Sequence, residues 1–257
     1  MSRLTIEAFV IRSIRVTESS RMLTLFSREM GKVKAVAKGA GRPKSKLGGK
    51  VELFNLIEGD LYKKETSELG VLSGAALFDD FKGLTENPRK FGFASAWCEV
   101  LDRMTQLEEP HIQVFELTLE SFKALQKAQS QITGLLFWSA IMKYLALEGY
   151  GPGLDACSSC SKIIEGDKLL ISLQRGGLIC KDCIEFDEPV VALSPAALGL
   201  LRLMEKSPLS EIATQVTDIR TGKQAAEVIL SLASYHLGLP RNLKSFKFLE
   251  NLPEFGR

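Results

Sequence analysis

A chain of 257 residues exceeds one typical domain, so two or three compact units are expected. Hydrophobic residues make up 45% and charged residues 25%, which excludes a disordered or fibrous chain. A net charge of +2 gives the whole molecule no strong field, yet residues 1–78 carry 14 basic against 8 acidic side chains, a net of +6. Glu7, Arg12 and Arg15 interrupt the apolar opening, and no run approaches the roughly 18 apolar residues of a membrane span. The expected location is the cytoplasm, where paired cysteines argue for metal over disulfides.

The first 78 residues read as strands. Thr5–Ile14, Arg21–Ser27, Lys32–Lys38, Val51–Tyr62 and Gly70–Leu77 are apolar or alternating runs, parted by Gly31, the Gly39–Gly49 stretch and the polar Lys63–Leu69 turn. About five short strands in 80 residues suit a small closed barrel, of which the OB-fold is the commonest nucleic-acid-binding example. The period then changes. Pro88 opens a helix with Phe91, Ala94, Trp97, Cys98, Leu101 and Met104 along one stripe, and Pro110 opens a second with Val114, Leu117 and Leu125. A third runs from Ile132 to Leu147 and is ended by Gly149, Gly151, Pro152 and Gly153. After Pro189 helices resume, with Ser194-Pro195 as an N-cap and a longer helix at Thr221–Leu237 stopped by Gly238.

Cys157, Cys160, Cys180 and Cys183 form two C-x2-C pairs separated by 19 residues, the spacing of a four-cysteine zinc site. Two intervening residues let one tight turn aim both thiolates at a single ion about 2.3 Å away. Lys168–Leu173, the Gly176-Gly177 turn and Leu178–Cys180 make a hairpin that returns the second pair. Four thiolates fill a tetrahedral shell and leave no place for water, so the Zn2+ is structural. A pair of plain reduced or disulfide-bonded turns is the simpler reading, and the spacing argues against it. Cys98, on a helical stripe, reads as a buried apolar residue.

From Arg28 to Lys50 there are eight basic residues against one acid, Glu29. Alternation puts Val33, Ala35 and Ala37 on one strand face and Lys32, Lys34 and Lys38 on the other, with Val36 among them. Arg42, Lys44 and Lys46 follow in a glycine-rich segment read as a flexible loop able to close over a nucleic-acid strand. A lysine-rich face is ordinarily just solvated surface, but this one continues into that loop. Were about seven phosphates engaged, the log–log salt slope for a single strand would lie near −5. Phe9, Phe26, Phe54, Tyr62 and Phe78 are candidates for base stacking, although most aromatics of a small barrel are core. Arg42-Pro43-Lys44-Ser45 is not a phosphate loop of the Walker type. His111 and His236 stand in no nucleophile–base pattern, so a binding protein is expected rather than an enzyme. A zinc-ribbon factor acting on RNA in transcription or translation is the alternative.

The segments Glu18-Ser19-Ser20-Arg21-Met22-Leu23-Thr24-Leu25-Phe26-Ser27, Gly31-Lys32-Val33-Lys34-Ala35-Val36-Ala37-Lys38-Gly39-Ala40, Arg42-Pro43-Lys44-Ser45-Lys46 and Leu239-Pro240-Arg241-Asn242-Leu243-Lys244-Ser245 carry a more specific signal. With them, over nearly its full length, the chain resembles the RecO family of bacterial DNA repair proteins. The resemblance implies an α+β chain: a five-stranded OB-fold DNA-binding domain at 1–80, and a helical domain at 81–257 with the zinc module inserted at 155–186. It implies binding of single- and double-stranded DNA, in which Arg21 joins Lys32, Lys34, Lys38, Arg42, Lys44 and Lys46. It further implies annealing of complementary strands, capture of the acidic C-terminal tail of single-stranded DNA-binding protein (SSB), and loading of RecA together with RecR, in association with the nucleoid. Gly41 departs from the family, which commonly carries another arginine there.

Overall fold

The computed structural model describes residues 2–64 and 66–252. Strands β1 (Ser2–Arg15), β2 (Arg21–Ser27), β3 (Gly31–Ala37), β4 (Leu56–Lys63) and β5 (Leu69–Asp79) form a closed barrel in the order β1-β2-β3-β5-β4, the OB-type arrangement expected. Its one parallel pairing joins β3 to β5 through Lys34↔Leu69, Ala35↔Gly70 and Val36↔Val71. Alternation sends Ile6, Ala8, Val10, Leu23, Leu25, Val33, Ala35, Ala37, Ile57, Leu61 and Leu72 inward as one core. Gly59 and Gly70 leave room for it: a Cβ on either would stand 2.8 or 2.7 Å from a leucine methyl of Leu72 or Leu61.

Residues 38–55 depart from the sequence reading twice. Val51–Asn55 is not strand, because Phe54 takes a left-handed φ of 74° and Asn55 turns its amide onto Gly49 O (2.9 Å) and Lys50 O (3.0 Å). Nor is the 39–46 segment a free lid. Ala40, Leu47 and Val51 enter the barrel core, so this stretch plugs one end of it.

Helices α1 (Lys82–Thr85), α2 (Pro88–Met104), α3 (Ile112–Lys127) and, near the end of the chain, α8 (Lys244–Glu250) belong with the barrel. Asn87 caps α2 by accepting the N–H groups of Arg89 and Lys90, with Pro88 at the first helical position. The outward face of β1 and β2 is apolar too: Phe9 lies 5.0 Å from Phe115 and 5.4 Å from Phe122, and Phe122 in turn meets Phe54 and Phe81 at 5.6 and 5.4 Å. These rings are fully buried in a seam between barrel and helices. Glu99 holds the start of α8 by accepting from Lys244 N, Ser245 N and Ser245 Oγ. Leu249 sits where a Cβ on Gly92 would be 2.4 Å away.

The described residues of Met1–Gln126 and Leu243–Arg257 form one compact unit and Lys127–Asn242 a second. The second contains α4 (Thr133–Leu147), α5 (Pro195–Lys206), α6 (Leu209–Ile212) and α7 (Ile219–Leu237), with a three-stranded sheet ordered β7-β6-β8. Its strands are β6 (Leu169–Ser172), β7 (Gly177–Leu178) and β8 (Val190–Leu193). The hairpin of β6 and β7 matches the sequence reading; β8, read there as the approach to a helix, instead pairs with β6 from Ser172↔Val190 to Leu169↔Leu193. No helix among the described residues is long and apolar enough to cross a membrane.

Removing a ring from the seam should cost far more than removing one from the surface. Phe122→Ala is expected to lower unfolding free energy by about 3–5 kcal/mol, and Phe78→Ala, at a half-exposed site, by much less. Urea denaturation giving equal losses for the two would contradict the two-sided burial.

Candidate nucleic-acid interface and metal centre

Cross-strand register sorts the outward face of the barrel into rows. Phe9, Phe26 and Lys32 are direct neighbours across β1, β2 and β3, and this row lies under the helices. In the next row Thr24 is still buried, while Arg12, Lys34 and Leu69 are exposed and Arg12 pairs with Asp102 at 3.6 Å. Beyond it come Ile14, Met22, Val36, Val71 and Tyr62, all partly or well exposed. The open sheet face is thus an aliphatic band with two cations, Arg12 and Lys34, beside it.

This geometry corrects the place of Lys32 in the expected row of three lysines. It is 8% exposed, its Nζ donates to Asp102 O, and its own carbonyl accepts from Glu108 N at 2.9 Å. The reason is topological: β3 pairs with β5 only from Lys34 onward, and beside Lys32 the connection of α2 to α3 takes the vacant edge at Leu107. Gly31 makes the approach possible, since a Cβ there would stand 1.9 Å from Glu109 O. Burial holds the Lys32 ammonium below the ordinary lysine range, with neighbouring Lys34 lowering it further against the pull of Asp102.

Other cations of the run are also engaged. Arg21 pairs with Glu52 at 2.9 Å and donates to Ser13 Oγ. Arg28 lies over the Phe115 ring and pairs with Glu7 and Glu116, while Lys50 Nζ donates to Ala75 O at 2.8 Å. Lys34, Lys38, Arg42, Lys44 and Lys46 remain, each exposed and none paired with a carboxylate among the described residues. The plug that carries the last three is docked on the β1–β2 turn, with Gly41 N bonded to Ser19 O (3.1 Å) and no space for a Cβ, which would meet Glu18 O at 2.7 Å.

Reading the basic run from Arg28 missed Arg12, Arg15 and the band itself. The signal was present in the alternation of β1, but a register shift between Val10 and Arg12 moves Ile14 to the outward face, and no sequence pattern announces it. Of the stacking candidates, Phe9, Phe26 and Phe54 are buried; Tyr62 and Phe78 are not.

In the second unit, the Sγ atoms of Cys157, Cys160, Cys180 and Cys183 all lie within 4.8 Å of one another. Cys160 and Cys180 Sγ are 3.8 Å apart, too far for a disulfide of about 2.05 Å. They stand at the separation of two thiolates sharing a tetrahedral ion at about 2.3 Å. Local folding dictates this: Cys157 O accepts from Ser161 N and Cys157 N donates to Lys162 O, a tight turn that Ser161 closes with φ 58°. Cys180 O accepts from Cys183 N in the second turn. Burial acts to raise the Cys157 thiol, but N–H groups of Cys160, Cys180 and Ser159 outweigh it and bring the thiol down to about 6. Ile179 packs behind the cysteines, with Ile164, Leu170 and Ile184 around it. Cys98 lies apart, buried, its thiol pushed up by burial first and by Asp102 second.

Fold and sites together define an OB-type barrel protein with exposed cations on and beside its open sheet face and a cluster of four thiols able to hold a metal ion. Family models place it further: residues 1–81 match "Recombination protein O N terminal" and residues 85–245 match "Recombination protein O C terminal". Relatives called DNA repair protein RecO include that of Desulfitobacterium hafniense (strain DSM 10664 / DCB-2), 31% identical over 98% of this chain and 90% of its own. Those of Pelotomaculum thermopropionicum (30%; 95% and 92%) and Bacillus pumilus (27%; 96% and 93%) align over similar spans. The chain belongs to the RecO family of DNA repair and recombination proteins.

Two measurements check these placements. Lys32→Ala should destabilise the first unit, because it leaves Asp102 O and a gap beside β3 unserved, whereas Lys34→Ala should leave the melting point nearly unchanged; the reverse order would contradict the burial. Cys180→Ser should abolish retention of one metal equivalent per chain and open residues 155–186 to hydrogen exchange. Full metal retention by that variant would rule out the quartet as the site.

Proposed function

We propose that the chain is a non-enzymatic mediator of DNA repair, which binds single- and double-stranded DNA on the open barrel face and anneals complementary strands. The observation that carries this is a set of five cations with no carboxylate partner among the described residues: Lys34 in the row next to the aliphatic band of Ile14, Met22, Val36, Val71 and Tyr62, Lys38 just past β3, and Arg42, Lys44 and Lys46 on the plug docked at the β1–β2 turn. Cations neutralise phosphates by releasing counterions, and a band without charge tolerates the faces of unstacked bases. With RecR the protein would load RecA onto single strands coated with SSB, engaging the acidic C-terminal tail of SSB. This work belongs in the cytoplasm, at the nucleoid.

Mechanism here means positioning and charge, not bond making. His111 Nδ1 receives the Val114 N–H at 3.4 Å at the start of α3, and His236 stacks on Tyr150 at 4.8 Å; each has a structural use. Lys44-Ser45 lies in the barrel plug rather than between a strand and a helix as a phosphate-binding loop would. For the thiol quartet Zn2+ is the ion of choice, because four thiolates in a tetrahedron suit zinc and leave no reactive position. Bound there, it supplies folding free energy on the order of 10 kcal/mol, and the cysteines with their N–H donors hold the two turns together.

Five phosphates give a single-strand salt slope of about −3.5, so affinity should fall roughly a hundredfold between about 50 and 200 mM salt. Lys34→Ala, Lys38→Ala and Arg42→Ala combined should flatten that slope by about 2, while Lys32→Ala should leave it alone. Titrations of a labelled strand at several salt concentrations read both. An unchanged slope in the triple variant would remove this face from the interface, and failure of the native chain to speed annealing of complementary oligonucleotides at low salt would remove the proposed activity.

A further inference from the structure

The turn that closes the metal module presents an aromatic side chain that nothing covers. Phe186 is 96% exposed, yet its backbone is tightly built. Glu188 N donates to Glu185 O (3.3 Å) and Glu185 N to Glu188 Oε2 (3.0 Å). The buried Glu188 carboxylate also accepts from Ser172 Oγ and from Arg175 Nε (3.0 Å), and Arg175 pairs with Glu185 as well. Leu173 N bonds to Pro189 O at 2.9 Å, so the turn is tied to the β6 side at its far end and to Cys183 at its near end. Ile163, 72% exposed, stands three residues past Cys160 as Phe186 stands three past Cys183. A ring held out on a rigid support has little ordering entropy left to lose on contact, which is how a preorganised anchor of an interface behaves.

The charge around the ring selects what it can meet. With Arg175 paired to Glu185 and Glu188, the turn holds two bases, Arg175 and Lys181, against four acids, Asp182, Glu185, Asp187 and Glu188. Such a turn repels phosphate and suits an apolar surface rimmed with cations. The barrel face has that chemistry: Ile14 at 43% and Val16 at 58% exposure, the half-buried Met22, Val36 and Val71, and Arg15, Lys34, Lys38 and Arg42 around them. Phe186 and the barrel face are each exposed and carry opposite charge, so a second copy of the chain supplies a complement to each.

We propose that the Phe186 turn of one copy docks on the cationic β1–β2–β3 face of a second copy. Donor and acceptor surfaces differ, so the contact is head-to-tail and propagates unless its rotation closes a ring. The contact itself does not depend on the nucleic-acid reading; its consequence, that self-association and DNA compete for one face, rests on it.

Sedimentation velocity of the full, metal-loaded chain tests this without DNA. At low salt the mean mass should rise from low to high micromolar concentration and fall again with added salt. Phe186→Ser should sediment as a monomer, and so should Lys34→Glu with Lys38→Glu, both variants keeping their metal and their thermal transition. Mixing the two should restore a pair and nothing larger, since one keeps only the acceptor and the other only the donor. A native chain that stays monomeric throughout, association that survives Phe186→Ser, or a mixture that does not pair would each overturn the proposal. An oligodeoxynucleotide should dissolve the assembly; if it binds and the assembly persists, the shared face is wrong. If it does not bind at all, the proposed DNA-binding function fails and the sedimentation arms still decide the docking.

Discussion

Over its middle, strand β1 has no face to give to water. Ile6, Ala8 and Val10 fill the barrel, and Phe9 between them fills the seam with Phe115, Phe122 and Phe81. Both sides of the sheet are therefore committed there, and the barrel, α1–α3 and α8 become one folding unit instead of a barrel with appended helices. Burying a large ring contributes on the order of 2–3 kcal/mol, so a seam of several outweighs any surface ion pair of the barrel. The seam also decides where function can sit. What remains open on β1–β2–β3 is the part beyond Lys32, where Lys34 and the aliphatic band are found, with Lys38 just past β3 and Arg42, Lys44 and Lys46 on the plug.

The second unit meets a different constraint. Its sheet strands are two to four residues long, and the apolar cluster behind the cysteines is small. So small a cluster orders the turns little by burial alone, and the hydrogen bonds of Cys157 with Ser161 and Lys162 and of Cys180 with Cys183 hold them. The Glu188–Ser172–Arg175 network ties down the next turn with buried hydrogen bonds. Its carboxylate is held below the usual range first by the Glu185 N–H, then by Ser172 and Arg175 against the cost of burial.

Much of this was legible in the residues. Alternation gave β2 to the residue and the inward set of β3, capping prolines gave the starts of α2 and α5, and cysteine spacing gave the quartet. Local chemistry dictates each of these. What escaped depends on neighbours distant in sequence. Lys32 and Lys34 look alike along the strand, and only the α2–α3 connection, about 75 positions later, separates a buried amine from an exposed one. The Gly39–Gly49 stretch reads as loop by composition and Val51–Asn55 as strand, yet Ala40, Leu47 and Val51 complete the barrel core from one plug. β8 is four apolar residues long, too short for its period to tell strand from helix.

Gly41 gives the rim of the barrel a property beyond charge. Because the β1–β2 turn closes on it with the Glu18 carbonyl where a side chain would begin, Arg42, Lys44 and Lys46 project from two loops fused into one ledge. Cations on a backbone already tied down have little chain freedom left to lose to any ligand that they meet. An arginine in place of Gly41 would add a charge while prising the ledge apart, so the close fit of the two loops depends on the glycine.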